Sequence, residues 1–291
     1  MQNAQNAQNA QTLLSKFSQR FRGGMASSLV VGNPPSTVEL EMRLGRFREG
    51  RFVPGVTRRV FEQLEREMED SPLDADENSM EIVDYFYPHV RGSGGVGDKV
   101  RTRVSYDVEK MQMNKEHIVK RGGESLVLSS SSNDMEQEED GCDDMVCRVA
   151  VADEVTLPTP PATVVTTHVR IKQRRCFRDM RQGGVVWIYE LSKTWAGTSR
   201  SAVEHLQQHT EPTYEVEVEL VDSKHSYVAQ HDDAYIADSL LCKANALLGV
   251  EPDCQLCVCE HKERPCENTA SSSSLTGSSK KRASIRKRRR G

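Results

Sequence analysis

No apolar run in this chain reaches the roughly 18 residues needed to cross a bilayer, so no membrane partner is expected. The N-terminus, MQNAQNAQNAQ, lacks the basic and then apolar blocks of a secretory signal. Without such a signal, the eight cysteines read as reduced thiols of a cytosolic or nuclear protein. Aromatic residues are scarce, at 5%, and apolar content is 36%, which argues against a large close-packed core. No Ser–His or Cys–His arrangement suggests a covalent nucleophile. Gly92-Ser93-Gly94-Gly95 has no following Lys-Ser/Thr and helix, so it reads as a loop rather than a phosphate cradle. Paired CxxC spacing is also missing. Cys254, Cys257, Cys259, His261 and Cys266 hold zinc-ligand chemistry, but free thiols fit their spacing better. With a net charge of −4 over 291 residues, the information lies in how charges are patterned.

The length suits one domain plus tails. Residues 1–35 are low in complexity and read as a disordered arm. Alternating apolar and polar side chains predict strands at 38–44, 81–87, 99–107, 116–121, 164–178, 185–195 and 213–221. A hairpin turn or loop is expected around Gly50 and Pro54-Gly55. Val56, Val60, Leu64 and Met68 recur at intervals of four and predict an amphipathic helix over 57–69. A second helix is predicted over 227–248, with the stripe Ile236, Leu240, Ala244, Leu247 and Leu248 and the stop signals Gly249 and Pro252. The serine run and the acidic cluster between Asp134 and Asp144 cannot bury enough apolar area to offset their ordering entropy. The stretch of about 122–162 is therefore expected to be a disordered insertion in a domain covering 36–250. A Cys/Ser-rich and then basic tail, 251–291, follows. Strands dominate without a βαβ rhythm, which predicts an antiparallel sheet or barrel, mainly β with a few helices.

Two strands carry glutamate combs. Glu39 and Glu41 share one face of the first strand, and Glu215, Glu217 and Glu219 share one face of the last. Glutamate is disfavoured in strands. Two unit charges ~4 Å apart interact by about 4 kcal/mol at an effective dielectric near 20. Five such groups either face water or surround a cation. Hard divalent ions take oxygen ligands, and the first and last strands of a closed barrel lie near each other, so Glu39, Glu41 and Glu219 are candidates for one metal site.

Other strands carry basic combs: Arg170, Lys172 and Arg174 on one, Arg101 and Arg103 on another, and Lys120 at the end of a third. A solvated face explains each alone. Facing inward together, they would line a lumen with cations opposite carboxylates that hold a metal. Such a lumen suits a polyanion with a metal-bridged end, and a triphosphate fits that description.

VELEMRLGRF at 38–47, followed by RFVPGV at 51–56, resembles the first motif of the fungal and protozoal mRNA-capping RNA 5′-triphosphatases, which are triphosphate tunnel metalloenzymes. EVEVEL at 215–220 resembles the last motif of that family, and the Arg170, Lys172 and Arg174 strand resembles its Arg-x-Lys-x-Arg strand. WIYELSKTW at 187–195 resembles the strand that follows, with Glu190 in place of the usual aspartate and Ser192 in place of threonine.

This resemblance implies an eight-stranded antiparallel β-barrel tunnel. It implies that Glu39, Glu41 and Glu219 bind Mg²⁺ or Mn²⁺. Glu217, with Glu215 or Glu190, would hold metal-bound waters and orient the attacking water. Arg101, Arg103, Lys120, Arg170, Lys172 and Arg174 would hold phosphates. The implied reaction is hydrolysis of the γ-phosphate from the 5′-triphosphate end of nascent mRNA. The alternatives are a tunnel hydrolase of tripolyphosphate or nucleoside triphosphates, and a non-catalytic module that binds RNA ends. No KxDG motif is visible, so a separate RNA guanylyltransferase is the expected partner, and a homodimer is left open. The basic tail at 280–290 suits a nuclear address.

Overall fold

Each strand turns charged residues to one side and apolar residues to the other, and this alternation decides the architecture. The computed structural model describes residues 8–13, 15–17, 19, 36–76, 80–90, 98–107, 112–129, 145–157, 166–179, 187–221 and 233–249. The chain divides into two units, Met1–Cys259 and Glu260–Gly291, and all of these residues lie in the first. The strands are β1 (Ser36–Arg48), β2 (Arg51–Pro54), β3 (Asp74–Ala75), β4 (Met80–Val90), β5 (Asp98–Asp107) and β6 (Gln112–Ser129). They continue with β7 (Met145–Leu157), β8 (His168–Asp179), β9 (Trp187–Gly197) and β10 (Thr213–Leu220). The helices with defined bounds are α1 (Arg58–Glu69), α2 (Arg200–His209) and α3 (Asp233–Leu248).

The strands β10, β9, β8, β4, β5, β6, β7 and β1 lie side by side in that order. Each pairs antiparallel with its neighbours, and β10 pairs with β1 to close the ring. This is the eight-stranded antiparallel barrel that the sequence resemblance implies. Closure leaves no sheet edge among these eight strands. β2 folds back on β1, and Glu49 and Gly50 between them both take positive φ, 51° and 74°, as a two-residue hairpin turn requires. β3 adds a short pairing to β8.

The hydrophobic core lies outside the ring. Leu40, Met42 and Leu44 of β1 cluster with Val149 and Val151 of β7, Val216 and Val218 of β10, and Trp187, Tyr189 and Leu191 of β9. Phe61, Leu64 and Met68 of α1 and Ile236, Leu240, Ala244 and Leu247 of α3 complete the layer. Each fully buried side chain of this kind contributes about 1.5–3 kcal/mol. Despite the shortage of aromatics, the core is therefore a large cluster spread over the barrel rather than filling it, with a second, smaller cluster of Val83, Val169, Ile171, Trp195 and Val203. α1 begins at Thr57, whose hydroxyl accepts from the Val60 amide at 3.3 Å. Both predicted covering helices are present, the second from Asp233; residues 227–232 lie outside the described ones.

Four expectations change. The eighth barrel strand, β7, lies in the stretch read as a disordered insertion, and β6 extends through Ser129. The acidic cluster misled because the alternation resumes right after it: Val149 and Val151 point to the core while Ala150, Ala152 and Glu154 point inward. Residues 130–144 and 158–165 lie outside the described residues. Within the arm read as disordered, residues 8–13 and 15–17 are helical, with Leu13 and Phe17 in the core, because those side chains supply an apolar stripe that composition averages away. α2 was not predicted. Ser199 caps it by accepting from the Ala202 amide at 3.2 Å, and Val203 packs with Val169, Ile171 and Trp195. Finally, Cys147 and Cys176 are free thiols but Cys242 is disulfide-bonded, so the all-reduced reading fails at that residue. The cluster at 254–266 and the basic tail lie outside the described residues.

Candidate active site

The charged faces of the strands meet inside the ring around one shared cavity. β1 contributes Glu39, Glu41 and Arg43, β10 contributes Glu217 and Glu219, and β9 contributes Glu190. Facing them are Arg170, Lys172 and Arg174 of β8, Arg101 and Arg103 of β5, and Lys120 of β6. Every residue selected from the sequence lines this cavity except Glu215, which reaches Lys172 at 2.6 Å and Arg170 at 3.9 Å.

Register explains why the two glutamate combs meet. Glu41 lies directly opposite Glu219 in the β1–β10 ladder, and Arg43 lies opposite Glu217. On the other flank of β1, Glu39 faces Ala152 and Glu41 faces Ala150. The two alanines leave room beside the carboxylates that a larger side chain would fill. Burial, together with the neighbouring Glu190, Glu39 and Glu154 carboxylates, pushes Glu219 up to about 8. Among the described residues, no cation lies within ion-pair distance of Glu219.

The remaining acids are satisfied by cations of the protein itself. Lys120 contacts Glu39, and contacts Glu41 at 2.9 Å, while Arg43 contacts Glu41 and lies 3.3 Å from Glu217. Lys172, only 1% exposed, sits 3.3 Å from Glu217. Burial works against ionisation of Glu217, but Lys172, Arg43 and Arg174 outweigh it and hold the carboxyl well below the usual range. Burial lowers Lys172, with Glu217 and Glu215 opposing the shift. Arg174 binds Glu190 at 2.6 Å, yet burial still raises Glu190 above the ordinary carboxylate range.

Sequence reasoning missed three residues here. Asp84 of β4 is fully buried and holds Arg170 at 2.9 Å, Arg103 at 3.0 Å and Arg101 at 3.9 Å. Burial opposes its ionisation, but the three guanidinium groups keep its carboxyl far below the usual range. The signal was an isolated acid in the apolar strand EIVDYFY. Arg43 continues the two-residue step of Glu39 and Glu41, so extending the alternation by one more step would have included it. Glu154 contacts Arg101 at 3.2 Å and Lys120 at 3.8 Å, from the strand hidden in the presumed insertion.

The donor set fits a hard divalent ion: three carboxylates of β1 and β10 gathered on one inward face, one of them pushed toward its protonated form by burial and by its acidic neighbours. Among the described residues, no three acidic, His or Cys side chains converge at ligand distance as they stand. Glu39 and Glu41 are turned to Lys120 and Arg43 instead. Binding an ion requires those carboxylates to exchange protein cations for the metal, a side-chain rotation on fixed strands.

No protein-family model and no curated relative matches the chain. Among solved structures, the S. pombe Pct1 RNA triphosphatase is similar at 20% identity, with 82% of this chain and 85% of that chain covered and a TM-score of 0.42. Pct1 in complex with the Spt5 CTD gives 19% identity, coverage of 81% and 87%, and a TM-score of 0.43. The Mimivirus capping enzyme triphosphatase gives 11% identity, coverage of 81% and 97%, and a TM-score of 0.44. At such scores the likenesses add no weight, and the functional case rests on the lumen.

Proposed function

We propose that this protein is a metal-dependent RNA 5′-triphosphatase that releases the γ-phosphate of a triphosphate end as orthophosphate and leaves a diphosphate end for cap addition. One observation carries the reading: the carboxylates of β1 and β10 share register positions inside a closed barrel whose facing strands present Arg and Lys. Five of those cations now rest on Asp84, Glu190, Glu215 or Glu217, partners that a polyanion can replace.

Glu39, Glu41 and Glu219 would hold Mg²⁺ or Mn²⁺, which would supply charge neutralisation on the transferred phosphoryl group. Arg170, Lys172 and Arg174 project from alternate positions of one strand and would hold successive phosphate oxygens. Arg101, Arg103 and Lys120 would close the other side of the lumen. Asp84 positions the guanidinium groups of Arg103 and Arg170 by direct contact. Glu217, kept ionised by Lys172 and Arg43, accepts a hydrogen bond and so orients the attacking water; Glu215 and Glu190 hold Lys172 and Arg174 in place. Catalysis on this reading is positioning plus electrostatic stabilisation, with no covalent intermediate. A separate guanylyltransferase would act on the product, and the setting would be nuclear.

The test compares γ-phosphate release from triphosphate-ended RNA, ATP and inorganic tripolyphosphate, with and without a divalent ion. Metal-dependent release from RNA is expected. Turnover of tripolyphosphate alone would remove the capping assignment, and phosphate binding without any turnover would leave only an end-binding module.

A further inference from the structure

A triphosphate end held in the lumen must continue out through one of its two mouths, and the mouths differ in chemistry. Around the ring β1, β9 and β4 run one way while β10 and β8 run the other. Residues after Arg43 on β1, after Asp84 on β4 and before Arg170 on β8 therefore reach the same end. That end combines aromatic rings with arginines. Phe47 of β1 lies opposite Phe52 of β2, with ring centroids 6.4 Å apart and planes at 77°. Phe47 remains 49% exposed.

The Phe52 ring lies over Gly45, where a Cβ would fall 2.7 Å from its Cζ; glycine lets the ring fold over the strand two residues beyond Arg43. The Arg148 guanidinium stands 5.7 Å from the centre of that ring. Across the mouth, Phe86 follows Asp84 by two residues, with Arg170 at 5.4 Å and His168 at 5.6 Å. Among the described residues, those that continue the inward faces toward the opposite mouth (Thr37, Ile188, Arg178, Ser105 and Thr156) include no aromatic ring.

We propose that this Phe–Arg mouth is a subsite for the first nucleotides of a single-stranded RNA 5′ end. Bases stack on Phe47, Phe52 and Phe86, while Arg148 and Arg170 stay beside the backbone phosphates. The inference rests on the triphosphatase reading and adds a site, outside the phosphate-binding lumen, for the nucleotides that follow the triphosphate. Aromatic rings accept any base, so the subsite selects for a nucleic acid without reading its sequence. A protein segment would use the exposed Phe47 equally well. The flanking guanidinium groups and the continuity with the phosphate-binding lumen favour RNA.

The experiment measures kcat/KM for a short triphosphate-ended oligonucleotide and for inorganic tripolyphosphate, using the full chain and its Phe47→Ala, Phe86→Ala and Phe86→Tyr variants. Loss of one stacked base lowers affinity by roughly 5- to 100-fold. The ratio of oligonucleotide to tripolyphosphate kcat/KM is expected to fall by a factor in that range in the alanine variants, through KM, and to recover in Phe86→Tyr. Anisotropy of a labelled 5′-diphosphate oligonucleotide, which is not turned over, should weaken in parallel. Thermal melting of each variant separates these effects from misfolding, and Phe47 is exposed enough for its truncation to leave the fold intact. An unchanged ratio and unchanged anisotropy in both alanine variants would overturn the subsite and leave the patch to a protein partner. A wild-type chain inactive on any triphosphate end would instead overturn the triphosphatase reading itself.

Discussion

Replacing Glu219 by glutamine separates what this carboxylate costs the fold from what it does in the site. Its carboxyl is pushed up to about 8 by burial and by Glu190, Glu39 and Glu154, against an ordinary value of 4.5. The unfolded chain thus loses this proton near pH 4.5 and the folded chain only near 8. Between those values the folded state binds the extra proton, so stability is full below the lower value and is lost as pH rises through the upper one. At about 1.4 kcal/mol per unit, the loss is on the order of 3 kcal/mol at pH 7 and 5 kcal/mol at pH 8. Glu219→Gln removes the titration. In the metal-free protein it should raise the melting temperature above wild type at pH 8 and match wild type near pH 5, as read by thermal unfolding across that range. The same variant should lose metal-dependent phosphate release. Equal stability at pH 8 would rule out a buried, protonated Glu219, and retained turnover would rule out its place at the metal.

Other perturbations test different parts of the structure. Asp84→Asn strips the shared counter-ion from Arg101, Arg103 and Arg170, and should destabilise by about 3–5 kcal/mol in denaturant unfolding while raising KM for triphosphate substrates. Because the Asp84 carboxyl is held low, its contribution is present above pH 4 and disappears only in strong acid, so the Asn variant should converge on wild type there. Gly45→Ala places a Cβ 2.4 Å from the Val53 carbonyl oxygen, and overpacking of this kind costs about 1–3 kcal/mol, measurable as a lower melting temperature. Phe61→Ala empties a buried position against Tyr214 on the outer face and should cost about 3–5 kcal/mol while kcat stays near wild type well below the melting point.

Residues with strict two-residue periodicity could be placed from sequence alone. Glu39, Glu41, Glu217 and Glu219 share a face by strand geometry, and the apolar residues between them, such as Leu40 and Val218, had to face a core. Alternation cannot say which strands neighbour each other, and so it could not show that Arg43 lies opposite Glu217 or that Asp84 ties β4 to β5 and β8. Composition misled where it averaged across a boundary. The acidic run before Met145 masked the start of β7, and the polar repeat before Leu13 and Phe17 masked their shared apolar stripe. α2 stayed hidden because its burial rests mainly on Val203, too little for a periodic signal.

On the proposed reading, carboxylates of β1 and β10 jointly hold a divalent ion in the lumen. Anomalous scattering from crystals grown with Mn²⁺ tests it most directly. A peak is expected within ligand distance of Glu39, Glu41 and Glu219, absent from Glu219→Gln crystals. A lumen without a peak, or a peak at the same place in that variant, would contradict it.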